Sequence, residues 1–221
     1  MTATYDAIVI GSGAGGAATA FRLAEAGRRV LVFEKGPHLP TDGSTLDADV
    51  VLRQGRYHNQ DPWIDRNGKP FVPSEFYNLG GKTKWYGAAL LRFSPHEFME
   101  EPAHQHRGWP FGYDELSPYY DEAETLLHVR RFDIESDTKR IVMRLERVAP
   151  HWRSAPMPLG LSPRILDDPQ EAVRFDGFAS VMGLKSDAET CLLDRIRDKP
   201  ELRQSIADHL CLGAPRRPQA H

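Results

Sequence analysis

Over residues 5–34 the apolar positions change their period twice. Tyr5–Ile10 is a short apolar run in which Ile8, Val9 and Ile10 are adjacent. That pattern predicts a strand buried on both faces, as in a parallel sheet. The glycine-rich turn GSGAGG follows it. Ala17, Phe21 and Ala24 then recur at helical spacing as far as Gly27, a suitable C-terminal stop. Arg29–Glu34, RVLVFE, predicts a second strand. The start of the chain therefore reads as one βαβ unit with a right-handed crossover.

Beyond it the pattern weakens. Pro37–Pro73 is rich in Asp, Gly, Pro and Asn and predicts loops with short helical turns. Ser94-Pro-His-Glu97 has the spacing of a capping box. Ser117-Pro118 reads as an N-cap followed by proline at the first helical position, opening a helix to about His128. Tyr120, Ala123, Leu126 and Leu127 would share one face of that helix. Ile141, Val142, Leu145 and Val148 predict an amphipathic helix that stops at Pro150. Pro150–Pro169 holds five prolines and reads as an irregular connection. A second capping box, Ser186-Asp-Ala-Glu189, precedes Leu192, Leu193 and Ile196, and helical spacing continues through Leu202, Ile206 and Leu210. The last residues, GAPRRPQAH, have no pattern.

Composition narrows the field. The 221 residues carry a formal net charge of -3 and no stripe of Lys or Arg, which argues against a nucleic-acid partner. The uncharged stretches are too short for a membrane span. The first strand begins too soon to leave room for a signal peptide. The two cysteines, Cys191 and Cys211, form no CxxC pair. Together these features predict a cytoplasmic protein in a reducing compartment.

The turn after the first strand carries candidate chemistry. Gly11, Gly13 and Gly16 give G-x-G-x-x-G, with Ser12, Ala14 and Gly15 between them. Gly11 permits the tight turn, Gly13 lets backbone approach a pyrophosphate, and Gly16 lets helix pack on strand. The helix N-terminus adds free N–H groups and partial positive charge. Glu34 closes the second strand eighteen residues after Gly16, where an acid would hydrogen-bond a ribose diol and disfavour a 2′-phosphate. Lys35 follows it. The fingerprint alone does not separate NAD from FAD.

Further motifs make that separation by resemblance. Ala20 and Gly27 extend the glycine pattern, and EKG follows the second strand. LGGKTKWYGAALLRFSPHEF (79–98) resembles the second flavin-contacting motif of the glucose-methanol-choline (GMC) oxidoreductases. GWPFGYDELSPYYDEAETLLHV (108–129) resembles the segment that follows it, and FDGFASVMGLKSDAE (175–189) resembles a later stretch more faintly. The resemblance implies an α/β fold, a Rossmann-like βαβ FAD-binding domain of the GR2 type. It implies hydride transfer from the CH–OH group of an alcohol or sugar to flavin. Carried over by position, Gly80, Gly81, Thr83, Tyr86, Gly87 and Ala88 would contact FAD beside the Gly11–Gly16 turn, Glu34 and Lys35. No histidine lies in residues 79–92, so the expected FAD is non-covalent.

The departures from the family are specific. Trp85-Tyr86 stands where many members have Asn or His, and Phe175 and Ser180 stand where relatives have cysteines. Complete members are much longer, and their catalytic histidine lies in a C-terminal segment with no counterpart here. The expected organisation is an incomplete FAD-binding region over 1–130, a divergent helix and Pro-rich connection over 131–174, and a partial family segment over 175–221. Two accounts of the shortness stay open: a fragment, or a subunit completed by another chain. No catalytic residue is assigned. His104 and His106 are expected to be surface histidines rather than metal ligands, and Tyr119-Tyr120 packing residues. Rival readings are a non-catalytic nucleotide-binding remnant and an NAD-dependent dehydrogenase.

Overall fold

The computed structural model describes residues 4–197; the expected helix through Leu202, Ile206 and Leu210, and Cys211, lie outside them. The chain divides into two compact units, one formed by residues 4–87 with 162–197 and the other by Ala88–Leu161.

The first unit is built on the predicted βαβ element. β1 (Ala7–Ile10) and β2 (Val30–Phe33) pair in parallel, in the register Ala7↔Val30 to Ile10↔Phe33. α1 (Ala14–Glu25) connects them and buries Ala17, Ala20, Phe21 and Ala24. The small residues let the helix lie close to the strands, and Phe21 supplies the apolar bulk. Gly27 ends α1 as its sequence implied: Gly27 N–H donates to Ala24 O and Arg28 N–H to Leu23 O, a Schellman pair. β2 is buried through Val30, Leu31 and Val32, but β1 departs from expectation. Only Val9 of β1 is buried, while Ile8 and Ile10 are 62% and 86% exposed. Those two side chains share the face of β1 opposite Val9, which is open among the described residues, and β2 is the one strand paired with β1 there.

The Pro37–Pro73 stretch forms short turns and one feature unseen in the sequence, a hairpin of β3 (Trp63–Ile64) and β4 (Pro70–Phe71). Asp65 closes it by accepting hydrogen bonds from the backbone of Asn67 and Lys69. Late in the chain, α4 (Pro169–Ala172) is short and capped by the Asp168 side chain. A π-helical turn, Glu189–Leu193, leads into α5 (Asp194–Arg197), and both pack on α1 through the buried Leu192, Leu193 and Ile196. The cap here is Asp187, whose carboxylate accepts from Thr190 N–H at 3.0 Å. Glu189 was expected to complete a capping box; its side chain instead reaches other elements, described below.

The second unit is α2 (Tyr113–Leu126), α3 (Ser136–Val148) and the antiparallel pair β5 (Arg130–Arg131) and β6 (Pro158–Leu159). The capping box at Ser94–Glu97 forms as read, over the 3₁₀ turn Pro95–Phe98. α2 begins earlier than expected. Glu115 accepts from Gly112 N–H at 3.1 Å and opens the helix there, placing Pro118 inside it rather than at its start. Tyr119 is 61% exposed, so of the Tyr119-Tyr120 pair only Tyr120 packs. Phe98 is the buried centre of an aromatic group, with the rings of Trp109, Tyr113 and Phe111 at 5.8, 5.9 and 6.3 Å.

Candidate functional site

The site grows from the turn between β1 and α1. Gly16 sits in the first turn of α1 directly over Gly11: a Cβ on Gly16 would lie 1.9 Å from Gly11 O. Only a glycine lets the helix start this close to the strand end. Gly13 is the N-cap of α1, and no side chain caps that terminus. A Cβ on Gly13 would meet no protein atom within 4 Å. The absence of a side chain there is thus not required by packing, which leaves open backbone at a helix N-terminus. Ala14 and Gly15, next along the helix, are exposed.

The second glycine motif lies against the first. Gly80 and Gly81 adopt φ of 82° and 58°, the left-handed region that favours glycine. A Cβ on Gly81 would stand 3.0 Å from Gly13 Cα, so the two glycine turns face each other. Ser12 joins them. Its buried hydroxyl accepts from Gly80 N–H at 2.9 Å and donates to Glu34 Oε2 at 2.5 Å. Glu34 is itself buried at the end of β2. It also accepts from Ser12 N–H at 2.8 Å and, through Oε1, from Gly36 N–H at 2.9 Å. A carboxylate has about four lone-pair positions, so the three protein donors leave acceptor capacity.

A cavity of about 390 Å³ opens at the carboxyl ends of β1 and β2, bounded by Ile10, Gly11, Phe33, Glu34, Tyr77 and Gly81 among others. This is where open α/β sheets bind ligands. Lys35 pairs with Asp61 and lies 3.9 Å above the Tyr77 ring. Phe76 also lines the cavity and stacks on Trp85 at 4.5 Å. Trp85, 6% exposed, donates its indole N–H to Asn78 Oδ1 at 2.8 Å. The second motif thus builds the cavity through Gly81 and supports its wall through Trp85.

The other residues carried over by position are placed differently. Thr83 donates to Gly80 O at 2.6 Å and accepts from Ala188 N–H at 2.9 Å. Tyr86 donates to Ser186 O at 2.7 Å, and burial pushes its phenol above the usual tyrosine range. Gly87 lies beside the Asp176 carboxylate. Ala88 is fully buried with φ 57°. The side chains of Thr83 and Tyr86 are therefore engaged with protein, and what they leave toward a ligand is backbone.

Sequence reasoning missed the charged side chains that hold this motif. Lys84 Nζ reaches Asp187 at 2.9 Å and Glu189 at 2.8 Å, and Glu189 also meets His38 Nδ1 at 2.7 Å. Burial opposes the Lys84 charge, but the two carboxylates outweigh it and hold the ammonium above the ordinary lysine range. Lys185, 1% exposed, gives its three protons to the carbonyls of Tyr86, Phe175 and Phe178 at 2.7, 2.7 and 2.6 Å. Its burial lowers the pKa to about 8. The only sequence signal was the charge-dense LKSDAE, which reads equally well as an exposed helix start.

The histidine pair does not converge: His104 meets Glu101, and His106 meets the Met99 carbonyl. Among the described residues no three His, Cys, Asp or Glu side chains are grouped to hold a metal. Nor, among them, is any helix long and apolar enough to cross a membrane.

Comparison with known proteins places the chain among dinucleotide-binding oxidoreductases. Residues 9–58 match the family model of the NAD(P)-binding Rossmann-like domain. Paromamine 6′-oxidase of Streptomyces fradiae is 38% identical over 130 residues, which cover 57% of this chain and 23% of that protein. A GMC-type oxidoreductase of Sinorhizobium fredii, y4nJ, is 32% identical over 124 residues, covering 56% of this chain and 24% of that protein. The aligned part of the chain thus spans about a quarter of the curated relatives it matches. An FAD-dependent oxidoreductase from Chaetomium thermophilum superposes with a TM-score of 0.56 at 16% identity, over 95% of this chain and 38% of that one. At that identity the match shows a shared fold.

Proposed function

Because the N-terminal half of the chain is related to the GMC-type oxidoreductases, we propose that it is the FAD-binding portion of such an enzyme, one that oxidises the CH–OH group of an alcohol or sugar. The observation that carries this reading is the opposition of two glycine turns, Gly13 to Gly81, beside an open helix N-terminus and the Glu34 carboxylate. A single Rossmann turn serves NAD as well as FAD. The second turn at Gly80-Gly81 supplies a second close approach of backbone and favours FAD over NAD.

In this reading Gly13, Ala14, Gly15 and Gly16 present backbone N–H groups to the pyrophosphate, while Gly11 and Ser12, whose N–H groups are held by Phe33 O and the Glu34 carboxylate, shape the turn that aims them. Glu34 accepts from the ribose hydroxyls with its remaining lone pairs, and Lys35 flanks that end. Gly80, Gly81, Thr83, Tyr86, Gly87 and Ala88 offer main-chain contacts toward the flavin half. FAD, when bound, supplies the hydride acceptor. Binding is non-covalent, since residues 79–92 contain no histidine to link. The protein is cytoplasmic, and no residue is assigned to the removal of the hydroxyl proton.

A second reading is a nucleotide-binding module without turnover, or a subunit completed by another chain. The exposed Ile8 and Ile10 on β1 favour that account over a self-sufficient enzyme. Purified protein tests both. Yellow flavin absorbance, bleached by an alcohol or sugar donor, is the expected result for an active enzyme. Flavin that no donor reduces supports the inert module. Uptake of NAD but not of FAD would refute the flavin assignment. Gly13→Val should leave the melting temperature nearly unchanged, since no protein atom crowds that position, yet abolish FAD uptake. Full uptake by this variant would mean that the turn does not hold the pyrophosphate.

A further inference from the structure

α3 buries none of its side chains. Ile141, Leu145 and Val148 follow i, i+4, i+7 spacing and are 61%, 46% and 73% exposed. Trp152, also 61% exposed, lies in the turn that follows the helix, its backbone N–H donating to Ala149 O at 2.9 Å. Val142, Glu146 and Ala149 are half-buried, so the less exposed face of the helix adjoins the apolar stripe, and the stripe itself faces solvent. By helical spacing Arg140, Arg144 and Arg147 border the stripe on the side away from that face. Arg140 pairs with Asp137 at 2.6 Å, whereas no carboxylate pairs with Arg144 or Arg147 among the described residues. Residues 136–153 hold five Lys and Arg against two Asp and Glu.

We propose that α3 is a membrane-surface element that lies flat on an anionic lipid bilayer. An exposed apolar stripe on a short helix, bordered by unpaired arginines and followed by a tryptophan, has the chemistry of interfacial helices. Acyl chains take Ile141, Leu145 and Val148. The Trp152 ring suits the headgroup boundary, where one edge is apolar and the other wet. Arg144 and Arg147 meet lipid phosphates that neutralise them. A second copy of the chain is a poorer occupant, because pairing two such stripes would set arginine borders against each other. The inference does not depend on the flavin reading.

The test is co-sedimentation of the full chain with vesicles. Binding is expected to phosphatidylserine-containing vesicles and not to pure phosphatidylcholine, and to weaken as salt is raised. Leu145→Glu, at a half-exposed position, should reduce binding more than tenfold while leaving far-UV circular dichroism intact. The double change Arg144→Gln with Arg147→Gln should weaken it about 25-fold, each arginine contributing about fivefold. No binding at low salt would overturn the proposal. So would equal binding to both lipids, indifference to these substitutions, or self-association that Leu145→Glu abolishes. Capture by soluble polyglutamate at the same affinity would assign the stripe to an acidic polypeptide instead.

Discussion

The two units use apolar side chains in opposite ways. In residues 4–87 with 162–197, α1 buries four residues and β2 three, and the Glu189–Leu193 turn and α5 close over them. In residues 88–161, neither α2 nor α3 buries a side chain, and the buried apolar side chains are those of Ala88, Phe98, Pro158 and Leu161. Periodicity does not account for this, since α3 has the cleaner helical alternation. Close approach does. The first unit has glycines at the points where backbone meets backbone, so its layers come near enough to exclude water. The second is held by aromatic edges around Phe98 and by the fork of Arg92 on Glu124 and Asp121, all partly solvated.

The sharpest way to break this comparison is Gly16→Ala. The added Cβ would stand 1.9 Å from a backbone oxygen that cannot swing away. A loss of about 4 kcal/mol or more is expected, at the exceptional end for single substitutions. Urea unfolding followed by circular dichroism measures it. A loss under about 1 kcal/mol would mean that close approach at Gly16 is not what sets the first unit apart. Trp85→Ala comes next, at about 3–5 kcal/mol, because the indole fills the small core formed with Val51 and Ala179 and satisfies Asn78. The same experiment should show Phe76 loosened and the cavity beside Glu34 altered.

How much of this was legible in the sequence follows the same division. The βαβ element, its glycine turn and its terminal acid were readable because each depends on near neighbours: alternation, turn chemistry and an eighteen-residue spacing. The capping box at Ser94 was readable for the same reason. The start of α2 was misjudged because two local signals competed, and Glu115 on Gly112 prevailed over Ser117-Pro118. The burial of β1 was misjudged because an apolar run states what could be covered, not what covers it. Lys84, Lys185, Asp187 and Glu189 were unreadable as a group. The Lys84–Asp187 contact joins residues 103 positions apart, and no local pattern distinguishes a buried lysine from a solvated one.

Lys185 allows an intermediate test with a sign. Its pKa falls to about 8 through burial. Below that pH it is protonated in both folded and unfolded states. Between about pH 8 and the ordinary lysine range the unfolded chain binds more protons, so stability should rise with pH across that window. Lys185→Met should remove this slope. It should also cost about 2–3 kcal/mol at pH 7 by leaving three carbonyls without their donor. Glu189 acts in the opposite region. Burial opposes its ionisation, but Lys84 and His38 outweigh it and hold the carboxyl below the ordinary glutamate range. Its contribution is present above that range and is lost as pH falls through the depressed pKa. Urea midpoints against pH, for the native chain and for Lys185→Met, separate the two effects.

The smallest expected effect is the most informative about the second unit. Leu145→Ala removes a large apolar side chain from the helix with the clearest apolar stripe. In a buried helix such a change costs about 2–5 kcal/mol. At 46% exposure, with no buried side chain on α3, it should change stability by no more than about 0.5 kcal/mol. The intrinsic helix preference of alanine could even offset the lost contact. A loss above about 2 kcal/mol, measured by urea unfolding of the free chain, would show that the stripe is covered in solution and that the contrast between the units is false. A negligible change means that Leu145 contributes nothing to folding. Selection for an apolar side chain there would then have to act through what the stripe touches outside the fold.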